Sequence, residues 1–237
     1  LAGFYSQHSP AMIVAPVMFH QDHTILEKLQ SLEMMALMAS TGGALFHNKA
    51  IMCNGANLAY KKDVFLEVKG FDNIRNSPSG DDVLLMYKIG KIYPKSIRYL
   101  KNREAIVYTK ARNSFRSFIS QRVRWASKEM SVNNRETIFV SLLVYVFSFL
   151  LLFMPLAGYF CLSGSPVRPL FFDICLILGG FKCFIDFLLL FLAASFYNRK
   201  TLLLYFLPAQ LIYMLYVVIV GLLGKQGKYE WKNRKYN

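Results

Sequence analysis

The chain has 237 residues, 54% of them apolar, and a formal charge of +14. That length holds one ordinary domain plus a few membrane spans and excludes two large soluble domains. The basic balance suits anionic headgroups or a diphosphate, while the lack of an aromatic-basic binding motif argues against nucleic acid as a partner.

Met12 to Phe19, MIVAPVMF, is a β-rich apolar run suited to a buried strand. From Thr24 to Ser40, Leu26, Leu29, Leu32, Met35 and Ala36 recur at helical spacing, and Gly42-Gly43 is the expected break. Ala50 to Tyr60 carries Cys53-Asn54-Gly55-Ala56-Asn57, a glycine-containing bend between extended pieces. Asp63 opens a short helix that Gly70 can end. A turn-rich loop with Pro78 follows over residues 73–80, then a helix from about Asp82 to Lys91. Two short strands are expected near Ile97–Leu100 and Ala105–Tyr108. This alternation of strand and helix predicts an α/β fold class for residues 1–113.

Ser114 to Met130, SFRSFISQRVRWASKEM, reads as an amphipathic helix. Gln121, Arg124, Trp125 and Lys128 share one face, at i, i+3, i+4 and i+7. Phe115, Ile119, Val123, Ala126 and Met130 form a stripe roughly opposite. Segment 114–136 is therefore placed at a membrane interface.

Three apolar segments follow at about Thr137–Phe160, Leu170–Ser195 and Thr201–Leu223, each near the ~20 residues a spanning helix needs. Residues 137–223 thus hold about three transmembrane helices, and 224–237 form a basic tail. If residues 1–136 are cytoplasmic, Arg199-Lys200 falls inside, as basic loops prefer. The tail, with Lys225, Lys228, Lys232, Arg234 and Lys235, would then lie outside. Either one segment is re-entrant or interfacial, or the tail breaks the rule.

Ser79-Gly80-Asp81-Asp82 puts two carboxylates where a polar loop meets a helix. Acidic residues there favour exposed amides and the helix dipole, which is a sufficient structural reason for them. The functional alternative is a general base, since a carboxylate beside a second acid can have a raised pKa. The amphipathic helix has two explanations as well: arginines and Trp125 meeting headgroups, or a ligand-binding face. Lys182 and Asp186, at i, i+4 in the second span, read as a mutually neutralising pair, with a polar lining for a headgroup or glycan as the alternative. His20 and His23 lack a further ligand set and read as loop residues. The four cysteines show no metal-ligand spacing and read as reduced structural residues.

Asp82 in a GDD-like loop, followed by Gln121-x-x-Arg124-Trp125 beside membrane spans, resembles a family 2 glycosyltransferase of the membrane-bound bacterial type. Asn54-Gly55-Ala56-Asn57-Leu58-Ala59-Tyr60, Phe65, Gly70-Phe71-Asp72 and Trp231-Lys232-Asn233-Arg234 support the resemblance. It implies a GT-A domain, the nucleotide-diphospho-sugar transferase fold, ahead of the transmembrane helices. It also implies inverting transfer from a nucleotide-sugar donor to a lipid-linked or glycan acceptor. Asp82 would be the general base and Asp81 a supporting acid. Gln121, Arg124 and Trp125 would meet the donor diphosphate and the acceptor, with Asn54, Gly55 and Asn57 on the acceptor side. The family's Asp-x-Asp motif, which holds Mg2+ or Mn2+, does not occur here and by the family's layout falls before Leu1. The expectation is an acceptor-side portion of the catalytic domain in residues 1–113, with no metal ligands of its own and inactive alone. It is further expected in a bacterial inner membrane, with that domain cytoplasmic and membrane lipids as partners. A processive polysaccharide synthase and a non-catalytic membrane scaffold are the alternatives.

Overall fold

The computed structural model describes residues 1–20, 22–72, 80–131, 134–162, 164–225, 229–231 and 234–236, with backbone alone at 128–131, 225, 229–231 and 234–236. The expected loop over residues 73–79, and Lys232 and Asn233 of the C-terminal motif, lie outside the described residues. So do the side chains of Lys128 and Met130.

The α/β part is built from α1 (Ala2–His8), β1 (Met12–Val14), β2 (Val17–Phe19), α2 (Ile25–Phe46), β3 (Leu58–Tyr60), α3 (Lys62–Glu67), α4 (Asp81–Ile92), β4 (Ile97–Tyr99) and β5 (Val107–Thr109). The strands are short. β1 pairs antiparallel with β3 and parallel with β4, while β2 pairs parallel with β5. The single strand expected over Met12–Phe19 is therefore two strands in two sheets. Pro16 is the cause: it has no N–H for the ladder, and its carbonyl instead accepts from Val107 N and Asn57 Nδ2. The strand expected from Ala105 begins at Val107, because Arg103–Ala105 form a 3₁₀ turn.

Thr24 caps α2 with a full capping box, its hydroxyl accepting from Glu27 N while the Glu27 carboxylate accepts from Thr24 N. The expected break at Gly42-Gly43 does not occur, and α2 runs on to Phe46. A Cβ at Gly42 would lie 3.2 Å from the Tyr99 ring. The glycine serves close helix-to-strand packing there rather than a bend. α3 starts at Lys62, one residue before Asp63. It ends with Lys69 at φ 56° and with Gly70 N donating to Phe65 O at 2.8 Å, a Schellman closure.

α5 (Phe115–Ser131), α6 (Arg135–Cys161), α7 (Arg168–Phe196) and α8 (Phe206–Lys225) follow, then a hairpin of β6 (Tyr229–Trp231) and β7 (Arg234–Tyr236) within the stretch read as a basic tail. Three stretches are long and apolar enough to cross a membrane: Arg135–Cys161, Arg168–Phe196 and Lys200–Gly224. Pro155 lies inside α6, and a Cβ at Gly158 would strike the Phe171 ring, so α6 and α7 meet closely as a hairpin.

Apolar clusters pack these elements together. One packs α4 and the end of α2 around Met12, Val14 and Ile97. A second packs Val17, Met18, Leu32 and Met35 against Leu190, Ala193, Ala194, Leu202 and Phe206. A third joins Phe118 and Val123 of α5 to Tyr216 and Val220 of α8. Polar ties reinforce the joints: Tyr87 OH bonds Thr137 Oγ1 at 2.9 Å, and Arg199 pairs with Asp22 at 2.7 Å.

Candidate active site

Gly80 precedes α4 at φ 81°, a left-handed conformation that glycine adopts without steric cost. The turn sets Asp81 and Asp82 in the first turn of α4, where unpaired amides and the helix dipole favour negative charge. The two differ in setting: Asp81 is exposed and Asp82 is half-buried. Asp82 Oδ1 accepts from Val83 N at 2.9 Å, and Asp82 Oδ2 accepts from Gly55 N at 2.7 Å. Burial pushes the Asp82 carboxyl above its ordinary value of 3.8; the Val83 and Gly55 amides pull it back in part, and Asp81 adds a further push upward.

Gly55 is fitted to this contact. A Cβ on it would lie 2.9 Å from Asp82 Oδ2 and 3.3 Å from the Asp82 Cβ. Cys53 is buried nearby, and its thiol is pushed well up by burial and by the charges of Asp82 and Asp81. It stays protonated, a structural residue rather than a nucleophile. All four cysteines are free thiols.

The neighbouring asparagines have different tasks. Asn54 Oδ1 accepts from Ala56 N at 3.0 Å, shaping the bend, and Asn54 Nδ2 approaches Met34 Sδ at 3.9 Å. Asn57 is buried and turned inward, its Nδ2 donating to Pro16 O and Ala105 O at 2.8 and 2.7 Å. Those bonds hold together the point where β1 and β2 part.

On α5, Ile119, Val123 and Ala126 pack against α8, while Phe115, expected in the same stripe, is 59% exposed. Phe115 is the first residue of the helix, ahead of the contact with α8. Gln121, Arg124 and Trp125 are half-buried. The most buried polar residue of the motif is Arg122. Its Nε donates to Glu33 Oε1 at 2.8 Å and its Nη2 to Glu33 Oε2 at 2.5 Å. Arg122 Nη1 donates to Gln121 Oε1 at 2.9 Å, and the guanidinium lies over the Trp125 and Phe118 rings at 4.2 and 4.7 Å. The Tyr216 hydroxyl of α8 donates to Glu33 as well. Burial works against the Arg122 charge, but Glu33 and Tyr216 more than offset it, so the guanidinium is held cationic.

Helical spacing carried a signal for this pair. Arg122 lies three residues after Ile119 and four before Ala126, and Glu33 lies four after Leu29. Each charge therefore falls on the apolar side of its own helix, where a buried ion needs a partner.

α2 connects the two clusters. Glu33 holds Arg122, the adjacent Met34 touches Asn54, and Gly55 holds Asp82. The acidic turn and the Gln121-to-Trp125 helix are thus linked by consecutive residues of one helix.

Lys182 and Asp186 pair at 2.5 Å, and Lys182 Nζ also donates to Gln210 Oε1 at 2.7 Å, so the charges neutralise each other inside the helical part. Among the described residues, no three His, Cys, Asp or Glu side chains gather as a metal site.

A family model described as Glycosyl transferase family group 2 matches residues 1–222. No curated protein and no solved structure matches the chain.

Proposed function

The chain belongs to glycosyltransferase family 2, and from that premise we propose that it works as a membrane-bound inverting transferase with Asp82 as general base. The donor is a nucleotide-sugar, and the acceptor is a hydroxyl of a lipid-linked or other membrane-associated molecule. The acceptor oxygen attacks the anomeric carbon and its proton passes to the Asp82 carboxylate. The bond from that carbon to the diphosphate oxygen breaks, and its electron pair leaves with the nucleoside diphosphate. Arg124 meets the diphosphate and offsets its developing charge. Gln121 and Trp125 shape the acceptor end, and the indole gives a sugar ring a flat apolar face. Asp81 supports Asp82, and Asn54 and Gly55 border the acceptor.

The catalytic domain is of the GT-A type and lies on the cytoplasmic side of a bacterial inner membrane. Mg2+ or Mn2+ would neutralise the donor diphosphate, held by residues other than those described here.

One observation carries the reading: Asp82 is a half-buried carboxylate with a raised pKa, fixed by backbone amides at the mouth of a helix. A raised pKa makes it a better proton acceptor. Asp82→Asn is expected to lower transfer by about 10²–10⁴-fold, the usual contribution of a positioned base. Its effect on folding is small, because the carboxamide still accepts one of the two amides. Nucleotide-sugar turnover by the full-length protein in membranes, with a thermal melt on the same samples, tests this. Full turnover by a well-folded Asp82→Asn protein would remove Asp82 from the role.

A further inference from the structure

α8 has the length and composition of a membrane span, yet its contacts are those of a helix lying along the α/β part. Its first residue, Phe206, is buried with Leu202 against β2 and α2. Near its end, Gly224 sits against Ala126, where an added Cβ would come within 3.0 Å of the Ala126 Cβ. Between them Tyr216 meets Phe118, and Val220 clusters with Val123. These partners advance together, so α8 and α5 run side by side in the same direction.

Both ends of α5 are tied to the α/β part. Before it, Arg112 N donates to Gln30 Oε1; after it, Thr137 of α6 donates to Ile51 O and bonds Tyr87. α5 therefore stays on that side, and α8 beside it does too.

The depth of α8 agrees. Gly158 faces Phe171, and Gly179 faces Leu151, which sets the register of the α6–α7 hairpin. In that register Tyr145 of α6 lies opposite the part of α7 around Ile185. Phe206 stacks edge-on to Phe187 of α7 at 5.3 Å, and Gly221 sits against Tyr145 of α6. Phe206 and Gly221 are roughly 22 Å apart along the helix, yet they meet the hairpin at the same level. A third span would step through the hairpin's full depth. Burial follows the same division: 33% of the α8 stretch is buried within the protein, against 11% for α6 and 6% for α7.

We propose that α6 and α7 are the two crossings and that α8 lies in the membrane surface on the α/β side. Leu207, Leu211, Leu215, Ile219 and Leu222 form its exposed outer stripe and enter the acyl-chain boundary of that leaflet. The partner is the lipid surface, continuous with the lipid around α6 and α7. Lys225, Arg234 and Lys235 then lie on the same side as Arg199-Lys200, near anionic headgroups, and basic-residue asymmetry is restored.

The full chain, with Cys161, Cys175 and Cys183 replaced by serine and buried Cys53 kept, is the test material. Lys110→Cys marks the α/β side, Val167→Cys the α6–α7 turn, and Lys225→Cys the end of α8. In sealed vesicles of one orientation, a membrane-impermeant thiol reagent should label positions 110 and 225 together and 167 only from the other side. Labelling of 225 together with 167 would restore three spans and overturn the proposal. Spin labels at Leu207→Cys and Leu222→Cys give a second measure. Equal depths in the bilayer support an interfacial helix, while a difference of about 22 Å overturns it. Neither measurement depends on transfer activity.

Discussion

Asp82 and Arg122 are the two charged side chains around which the molecule is arranged, and their surroundings are opposite. Among the described residues, Asp82 is held by the Gly55 and Val83 backbone amides, and its pKa is raised. Arg122 is nearly sealed from water and held by a carboxylate fork, a glutamine and two rings. The first arrangement leaves a charge free to accept a proton. The second neutralises a charge so that three helices can close around it. Two conspicuous charges in one family's motifs thus have different tasks, and partners rather than residue type decide which.

Removing Arg122 should break that comparison most severely. Arg122→Ala leaves Glu33 buried without its cation, and loss of one member of such a pair costs about 3–5 kcal/mol. A thermal melt in detergent reads this as a large drop in unfolding temperature. The double variant Glu33→Leu with Arg122→Met should recover most of the loss, because apolar replacements of a buried pair are often neutral. A single variant as stable as the parent would mean that Arg122 is not structural.

Gly55→Ala sharpens the other side. The new Cβ falls within 2.9 Å of Asp82 Oδ2, so the carboxylate must move off the Gly55 amide. Losing a hydrogen bond to a charged group costs up to about 1.5–3 kcal/mol. The pH profile carries the sharper signal. Under the proposed mechanism transfer requires ionised Asp82, so activity is expected above its pKa and is lost as pH falls through it. The Gly55 amide pulls that pKa down; without it, the acid limb of the rate profile should move to higher pH. An unmoved limb in the folded variant would detach Asp82 from the rate.

Parts of this arrangement were legible in the sequence, and the rest depended on distant partners. The helix after Thr24 and the acidic start of α4 follow from caps and spacing within a few residues. The end of α2 did not, because Gly42 answers to Tyr99, a residue far along the chain. Pro16 splits a strand whose hydrophobic run looks continuous, since the ladder reads missing N–H groups and not apolarity. Glu33 and Arg122 both stood on apolar helix faces, so their burial was open to inference, but their pairing spans two helices. The span-like composition of α8 leaves its direction open for a related reason: apolarity reports that a helix avoids water, and its neighbours report which way it lies.

Tyr216→Phe is the mildest change and the most discriminating for that last point. Phenylalanine keeps the ring contact with Phe118 at 5.4 Å and removes only the hydroxyl that donates to Glu33. Arg122 still grips both oxygens of Glu33, so no buried charge is abandoned. The cost should be about 1 kcal/mol, that of one hydrogen bond. Because the hydroxyl joins α8 to α2, the loss should concentrate there, as faster amide exchange in α8 with α4 unchanged. Exchange that rose equally in both would mean that α8 and the α/β part unfold as one unit, with Tyr216 no more than a member of a common core.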